Sequence, residues 1–108
     1  MSTQLLEWHE KDFNAALKTK EISIVEFSAP WCGACKITEP VVVEVAKNFP
    51  TIKFAKIDVS KNPGLASKMG VMSLPNILFL VDGNVKEQII GAANRAKIEE
   101  KIKKILNK

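Results

Sequence analysis

The chain has only two cysteines, Cys32 and Cys35, and they stand three residues apart. A pair at this spacing can exchange a disulfide with another molecule, ligate a metal or close a short structural disulfide. Two small residues, Gly33 and Ala34, lie between them and leave the first sulfur open to a bulky protein substrate. Trp31, directly before Cys32, would supply an apolar surface beside that sulfur. The pair therefore predicts thiol–disulfide chemistry on a protein substrate.

The elements around the pair predict which sulfur attacks. The β-branched and aromatic residues 22–29 indicate a buried strand that ends before Pro30, and a helical pattern follows the cysteines. Cys32 would stand at the start of that helix, where unpaired backbone N–H groups and the helix dipole favour a thiolate. Cys35, one turn later on the same side, would donate a hydrogen bond to it and later attack the mixed disulfide. We predict that Cys32 is the nucleophile and Cys35 the resolving thiol.

Two other uses of the cysteine pair stay open. A structural disulfide at this spacing would constrain little of the unfolded chain. With His9 as the single histidine, the ligands are too few for a closed zinc site, so a metal or iron–sulfur cluster would need a second chain. The sequence has no flavin motif and no nucleotide-binding glycine loop, so we expect no cofactor or metal and an external supply of electrons.

One acidic residue, Glu26, interrupts the predicted buried strand between Val25 and Phe27. A buried carboxylate is costly unless it is protonated or paired, so burial would raise its affinity for a proton. Such a group could accept and return the proton of the resolving cysteine. The alternative is an ordinary exposed glutamate on a strand.

Apolar periodicity and turn residues divide the chain into short alternating elements, in the order β-α-β-α-β-α-β-β-α. The predicted strands cover residues 5–8, 22–29, 51–59, 76–81 and 85–90, and the first and third helices cover 10–19 and 62–68. The longest helix contains Pro40, which should kink it. Strands that alternate with helices pair in parallel through helical crossover connections, whereas the hairpin formed by the last two strands places an antiparallel pair at the edge of the sheet. We predict an α/β fold with a mixed central sheet and helices on both faces.

Apolar residues recur at helical spacing in the two longest predicted helices. In the first of these, every fourth position is apolar, at Ile37, Val41, Val45 and Phe49. The last helix is predicted to bury Ile98, Ile102, Ile105 and Leu106 and to expose its lysines to water. Near the N-terminus, we expect Trp8 in the core and His9 on the surface.

Size and charge limit the classes of protein further. With 108 residues the chain should be one domain, 1–108. Its net charge is +4, but Arg95 is the only arginine and tyrosine is absent, so we expect no nucleic-acid surface. The basic stretch 95–108 indicates a solvated helix face, with docking of an acidic partner as the alternative. Without a secretory signal or a membrane-length apolar run, we expect a cytoplasmic monomer that binds no membrane.

The segment from Phe27 to Lys36 resembles the active-site segment of the thioredoxin family, and the similarity runs through essentially the whole chain. Further matches are Pro40, the loop at 62–64, Gly70, Gly83 and Gly91. The resemblance implies the thioredoxin fold and a protein-disulfide reductase that carries electrons from thioredoxin reductase, or an equivalent donor, to disulfides in cytoplasmic proteins. The alternatives are a disulfide oxidase or isomerase and a non-catalytic binding subunit.

The resemblance also implies roles outside the cysteine pair. Pro75 would be the cis-proline opposite the cysteines, with an ordinary trans turn proline as the alternative. The backbone of Leu74 would then pair with an extended substrate segment, and Gly91 would border the substrate groove. Lys56 resembles the lysine that pairs with the family's buried aspartate, whose place Glu26 takes.

The chain departs from the family's pattern at four positions. Glu26 is one methylene longer than the aspartate it replaces, which alters its distance to Cys35. Ala34 replaces the usual proline, so we hypothesise a somewhat more oxidising couple; a reduction potential equal to that of a common thioredoxin would contradict this. Ser28 stands in place of a second tryptophan, and Asn76 in place of the threonine that follows the cis-proline, which would affect docking.

Overall fold

The computed structural model describes residues 5–107. The strands are β1 (Leu6–Trp8), β2 (Ile22–Ser28), β3 (Lys53–Asp58), β4 (Asn76–Val81) and β5 (Asn84–Ile90). The helices are α1 (Glu10–Ala16), α2 (Gly33–Ala46), α3 (Pro63–Lys68) and α4 (Arg95–Leu106). This is the predicted order of elements. The prediction for α1 was too long because residues 18 and 19 donate to carbonyls three residues back, which ends the helix in a tight turn.

The sheet is mixed, as predicted, with the strand order β1-β3-β2-β4-β5. Strand β3 runs parallel to both β1 and β2, whereas β4 runs antiparallel to β2 and to β5. The two central strands, β2 and β4, are almost entirely buried, which explains why their sequences are apolar without clean alternation.

Helices cover both faces of the sheet, and each face has its own apolar core. On one face, α2 and α4 pack against Ile24, Phe79 and their neighbours. On the other, α1 and α3 pack against Val25, Phe27 and their neighbours. Successive residues of a strand point to opposite faces, so even-numbered residues of β2 point towards α2. The expected positions of Trp8 in the core and His9 on the surface are confirmed.

The buried side of α2 differs from the simple four-residue repeat. Ile37 belongs to that repeat, yet its side chain is 72% exposed. The buried positions alternate spacings of three and four, at Cys35, Thr38, Val42 and Val45. A strict spacing of four drifts around a helix of 3.6 residues per turn, whereas alternating spacings stay on one side.

The apolar face predicted for α4 is confirmed at Ile98, Ile102 and Ile105, all of which are buried. The prediction was wrong at Leu106, which is 50% exposed. Leu106 directly follows Ile105, so it lies about 100° further around the helix axis and points away from the sheet. In the described part of the chain, no helix is long and apolar enough to cross a bilayer.

A tight hairpin joins β4 to the edge strand β5. Asp82 and Gly83 have φ angles of 54° and 79°, which confirms the positive φ predicted for the glycine. A Cβ atom at Gly83 would collide with the backbone carbonyl of Leu17. Glycine is therefore required here by both backbone conformation and space.

Candidate functional site

The cysteine pair lies at the start of α2, directly after the central strand. Cys32 and Cys35 form a disulfide. The backbone N–H of Cys32 donates to the carbonyl of Ala29 at 3.1 Å, which closes a turn between β2 and the helix. Cys32 is the N-cap residue of α2, with extended backbone angles, so its sulfur sits over the first helical turn.

The two sulfurs differ in surroundings. The backbone N–H of Cys35, which has no carbonyl partner within the helix, donates to Sγ of Cys32 at 3.1 Å. Cys35 is only 3% exposed, whereas Cys32 is partly exposed. The outer sulfur is therefore the one that a large molecule can reach, and the backbone is arranged to stabilise negative charge on it.

The sheet brings the other predicted substrate residues to the same end of the molecule. Because β2 and β4 are antiparallel and Phe27 pairs with Asn76, the end of β2 meets the start of β4. The Leu74–Pro75 peptide bond is cis, as the resemblance implies. The N–H of Gly91 donates to the carbonyl of Pro75 at 2.8 Å, which places the end of β5 beside it.

The surface at this end contains accessible apolar and small residues. Trp31 is 72% exposed, and Gly33 is exposed with no atom within 4 Å of where a Cβ would lie. Gly91 has a φ of 92° and also faces open space. Ala34 and Leu74 are partly exposed. The six residues predicted to bind substrate thus lie close to the sheet end where the cysteines are, although Pro75 itself is buried.

Glu26 is completely buried, as predicted for an acid inside β2. It lies two residues after Ile24, so both side chains are on the same face of the strand, and Ile24 packs in the core formed with α2 and α4. Glu26 therefore points towards α2. Neither oxygen of its carboxyl group has a hydrogen-bond partner within residues 5–107. Burial raises the pKa of Glu26 from its ordinary 4.5 to about 8; the negative charge of Glu39 contributes to the rise, and the positive charge of Lys56 opposes it.

Lys56 is the register partner of Glu26 on the neighbouring strand β3. Its ammonium group nevertheless donates to Oε2 of Glu39, on α2, at 3.1 Å. The Glu26–Lys56 pair that the resemblance implies is therefore replaced by a Lys56–Glu39 pair. Both partners line a cleft that Cys35 also borders.

Sequence reasoning missed Glu39, and no local signal marks it. A glutamate before Pro40 in a helix looks like any solvated residue, and only the packing of α2 on β3 brings it to Lys56. Thr38 was missed too: its hydroxyl is buried without a hydrogen-bond partner in the described chain.

Within residues 5–107, no three His, Cys, Asp or Glu side chains cluster in a way that could hold a metal ion.

Comparison with known proteins agrees with this geometry. The family model for thioredoxin matches residues 4–104. A thioredoxin H-type of Picea mariana is 38% identical over 85 residues, which cover 79% of this chain and 67% of the relative. A chloroplastic thioredoxin M-type of Pisum sativum is 38% identical over 84 residues, which cover 77% of this chain and 49% of the relative. The chain thus spans about half the length of that relative.

A solved structure agrees over the whole fold. The crystal structure of thioredoxin from Trypanosoma brucei brucei superposes with a TM-score of 0.90 at 28% identity, covering 100% of this chain and 96% of that one. The cysteine pair at the start of α2, the mixed five-stranded sheet and the family match lead to one conclusion. The chain has the thioredoxin fold and belongs to the thioredoxin family.

Proposed function

We propose that the protein is a protein-disulfide reductase that works by dithiol–disulfide exchange through Cys32 and Cys35. The observation that carries this proposal is the disulfide at the start of α2, which has an accessible outer sulfur and a buried inner one. An outer sulfur can attack a protein substrate, and an inner sulfur one turn away can resolve the product without meeting that substrate first. Membership of the thioredoxin family supports the same activity.

The reaction begins with both cysteines reduced. The Cys32 thiolate attacks one sulfur of a target disulfide, that disulfide breaks, and its other sulfur leaves as a thiolate that takes up a proton. Cys35 then loses its proton and attacks Sγ of Cys32, which breaks the mixed disulfide and releases the second target sulfur. Two electrons have passed to the target, and the Cys32–Cys35 disulfide remains, as in the structure.

Glu26 is proposed as the acceptor of the proton that Cys35 loses. Glu26 points from β2 towards α2, the helix that carries Cys35, and both residues are buried. A carboxyl group with a pKa of about 8 exchanges protons readily near neutral pH, which suits an acid–base role. Lys56 is proposed to act on this step through its charge, because it opposes the rise in the pKa of Glu26.

The substrate is proposed to lie as an extended segment along the end of the sheet. Its backbone would pair with Leu74, and its side chains would contact Trp31 and the open surface at Gly33, Ala34 and Gly91. Pro75 would hold Leu74 in place for this pairing. The exposed apolar surface of Trp31 supports binding of a protein segment rather than a small polar molecule.

The electron donor, compartment and assembly are also proposals. We propose that thioredoxin reductase, or an equivalent donor, reduces the Cys32–Cys35 disulfide, since the chain has no nucleotide or flavin motif. A reducing compartment such as the cytoplasm keeps the pair able to react as a dithiol. The thioredoxin domain would act there as a monomer.

Insulin reduction by dithiothreitol tests the proposed function. Wild-type protein in catalytic amounts is expected to accelerate the loss of insulin disulfides, and Cys32→Ser is expected to remove this acceleration because it removes the attacking sulfur. Circular dichroism of the variant controls for folding. Equal rates with wild type and Cys32→Ser would refute enzymatic reduction, and partner capture unchanged in a Cys32→Ser/Cys35→Ser variant would support a binding subunit instead.

A further inference from the structure

We infer that Glu39 is a positioning residue for the proposed reaction: it holds the ammonium group of Lys56 in the cleft that Cys35 borders and leaves the Glu26 carboxyl without a counter-ion. This inference rests on the proposed function for its mechanistic meaning. The ion pair itself is a property of the folded chain. It can be tested whether or not the chain reduces disulfides.

The strand register makes Lys56 the natural counter-ion of Glu26. The two residues are direct partners on adjacent parallel strands, where side chains of paired residues point to the same face. Both therefore point towards α2. In the structure, however, Nζ of Lys56 donates to Oε2 of Glu39 at 3.1 Å, and both Glu26 oxygens stay without a partner within residues 5–107.

Differences in burial explain why Lys56 pairs with Glu39. The side chains of Lys56 and Glu39 are 36% and 32% exposed, so their charges keep part of their hydration when paired. Glu26 is 0% exposed. To reach it, the ammonium group would have to give up more of its hydration, so Glu39 is the more favourable partner of Lys56 as long as it is present. The pair forms at the surface and the acid stays below it.

Two charged groups act on Glu26 from the elements packed against it. Glu39, on α2, raises the pKa of Glu26, and Lys56, on β3, lowers it. On β4, the register partner of Glu26 is the apolar Ile77. Further charged residues line the cleft that Glu39 and Lys56 share with Cys35, namely Glu7, Lys36, Asp58 and Lys61. Removing Glu39 should therefore lower the pKa of Glu26 in two ways. It removes a repulsive negative charge, and it frees the positive charge of Lys56.

The test is to titrate Glu26 by carbon-13 NMR of its carboxyl group, in the oxidised protein so that the cysteines do not titrate. Glu39→Ala is expected to lower the midpoint by about one pH unit or more, the size expected when one nearby charge changes. The matched control is Glu44→Ala, which removes another glutamate of α2 that is paired with Lys47 at 2.9 Å. The control should leave the Glu26 midpoint unchanged.

A double-mutant cycle with Lys56→Met shows whether Glu39 acts through Lys56. In the Lys56→Met background only direct repulsion is left, so Glu39→Ala should lower the Glu26 midpoint less than it does in wild type. Equal shifts in the two backgrounds, or no shift in Glu39→Ala, would overturn the inference. Insulin reduction by the wild type reports separately on the proposed function, because the NMR titration needs no activity.

Catalysis gives a second readout. The pH profile of the step in which Cys35 resolves the mixed disulfide should move in Glu39→Ala to lower pH, in parallel with the midpoint of Glu26. A lower Glu26 midpoint with an unmoved pH profile would contradict the positioning role of Glu39.

Discussion

Replacing Cys35 with serine is expected to stop the reaction at a covalent complex between Cys32 and its target. In the wild type, the inner sulfur sits one helical turn from the outer one and attacks it within the same molecule, at an effective concentration far above that of any free thiol. Without that sulfur, release depends on thiols from solution, so the lifetime of the mixed disulfide should rise by at least about a thousandfold.

The measurement is mass spectrometry of the intact adduct after the variant is mixed with a disulfide-containing peptide and quenched in acid. Peptide mapping should place the added mass on Cys32. The matched control is Cys32→Ser, which keeps the buried sulfur but loses the accessible one, and it should form no comparable adduct. Equal adduct formation by both variants would show that the order of attack assigned to the two sulfurs is wrong.

The contribution of Glu26 to the free energy of unfolding is expected to fall as pH rises from about 4.5 to about 8. The folded state holds this proton more tightly than the unfolded chain, so above its ordinary pKa the carboxyl group ionises on unfolding and favours the unfolded state. The loss levels off once Glu26 also ionises in the folded protein. The pKa difference corresponds to a fall of roughly 5 kcal/mol at most.

Glu26→Gln should remove most of this fall, since the amide does not titrate. Urea unfolding of the oxidised protein at a series of pH values measures it, and the difference between variant and wild type cancels other titrating groups. Glu44→Gln, an exposed glutamate of α2, serves as the matched control and should retain the wild-type slope. Parallel stability curves for wild type and Glu26→Gln would mean that Glu26 titrates normally in the folded protein.

Much of the fold could be predicted because its cues are local. Strands buried on both faces have continuous apolar runs, and the Asp82-Gly83 turn requires positive φ, so the order of elements and the mixed sheet followed from short segments. The burial of Glu26 was predicted for the same reason, because both faces of such a strand are covered, although an exposed glutamate stayed open as the alternative. The cysteine pair needed only its spacing and its position between strand and helix.

Features that depend on packing between distant segments could not be predicted. Local periodicity says that α2 has an apolar side, but the sheet decides which residues meet it, so Ile37 is exposed while Thr38 is buried. The partner of Lys56 is likewise set by where α2 crosses β3. A long lysine side chain can reach more than one carboxylate, and relative burial, which sequence does not give, selects Glu39 over Glu26.

Dithiol–disulfide exchange through Cys32 and Cys35 is tested most directly by counting the thiols that each protein gains or loses. Fully reduced protein is mixed with a slight excess of a protein that carries one disulfide, quenched with acid and alkylated, and the thiols of both proteins are counted by mass spectrometry. The predicted result is one target disulfide reduced for every Cys32–Cys35 disulfide formed. New target thiols without oxidation of the pair, or an intact target disulfide beside a still reduced pair, would contradict dithiol–disulfide exchange through these two cysteines.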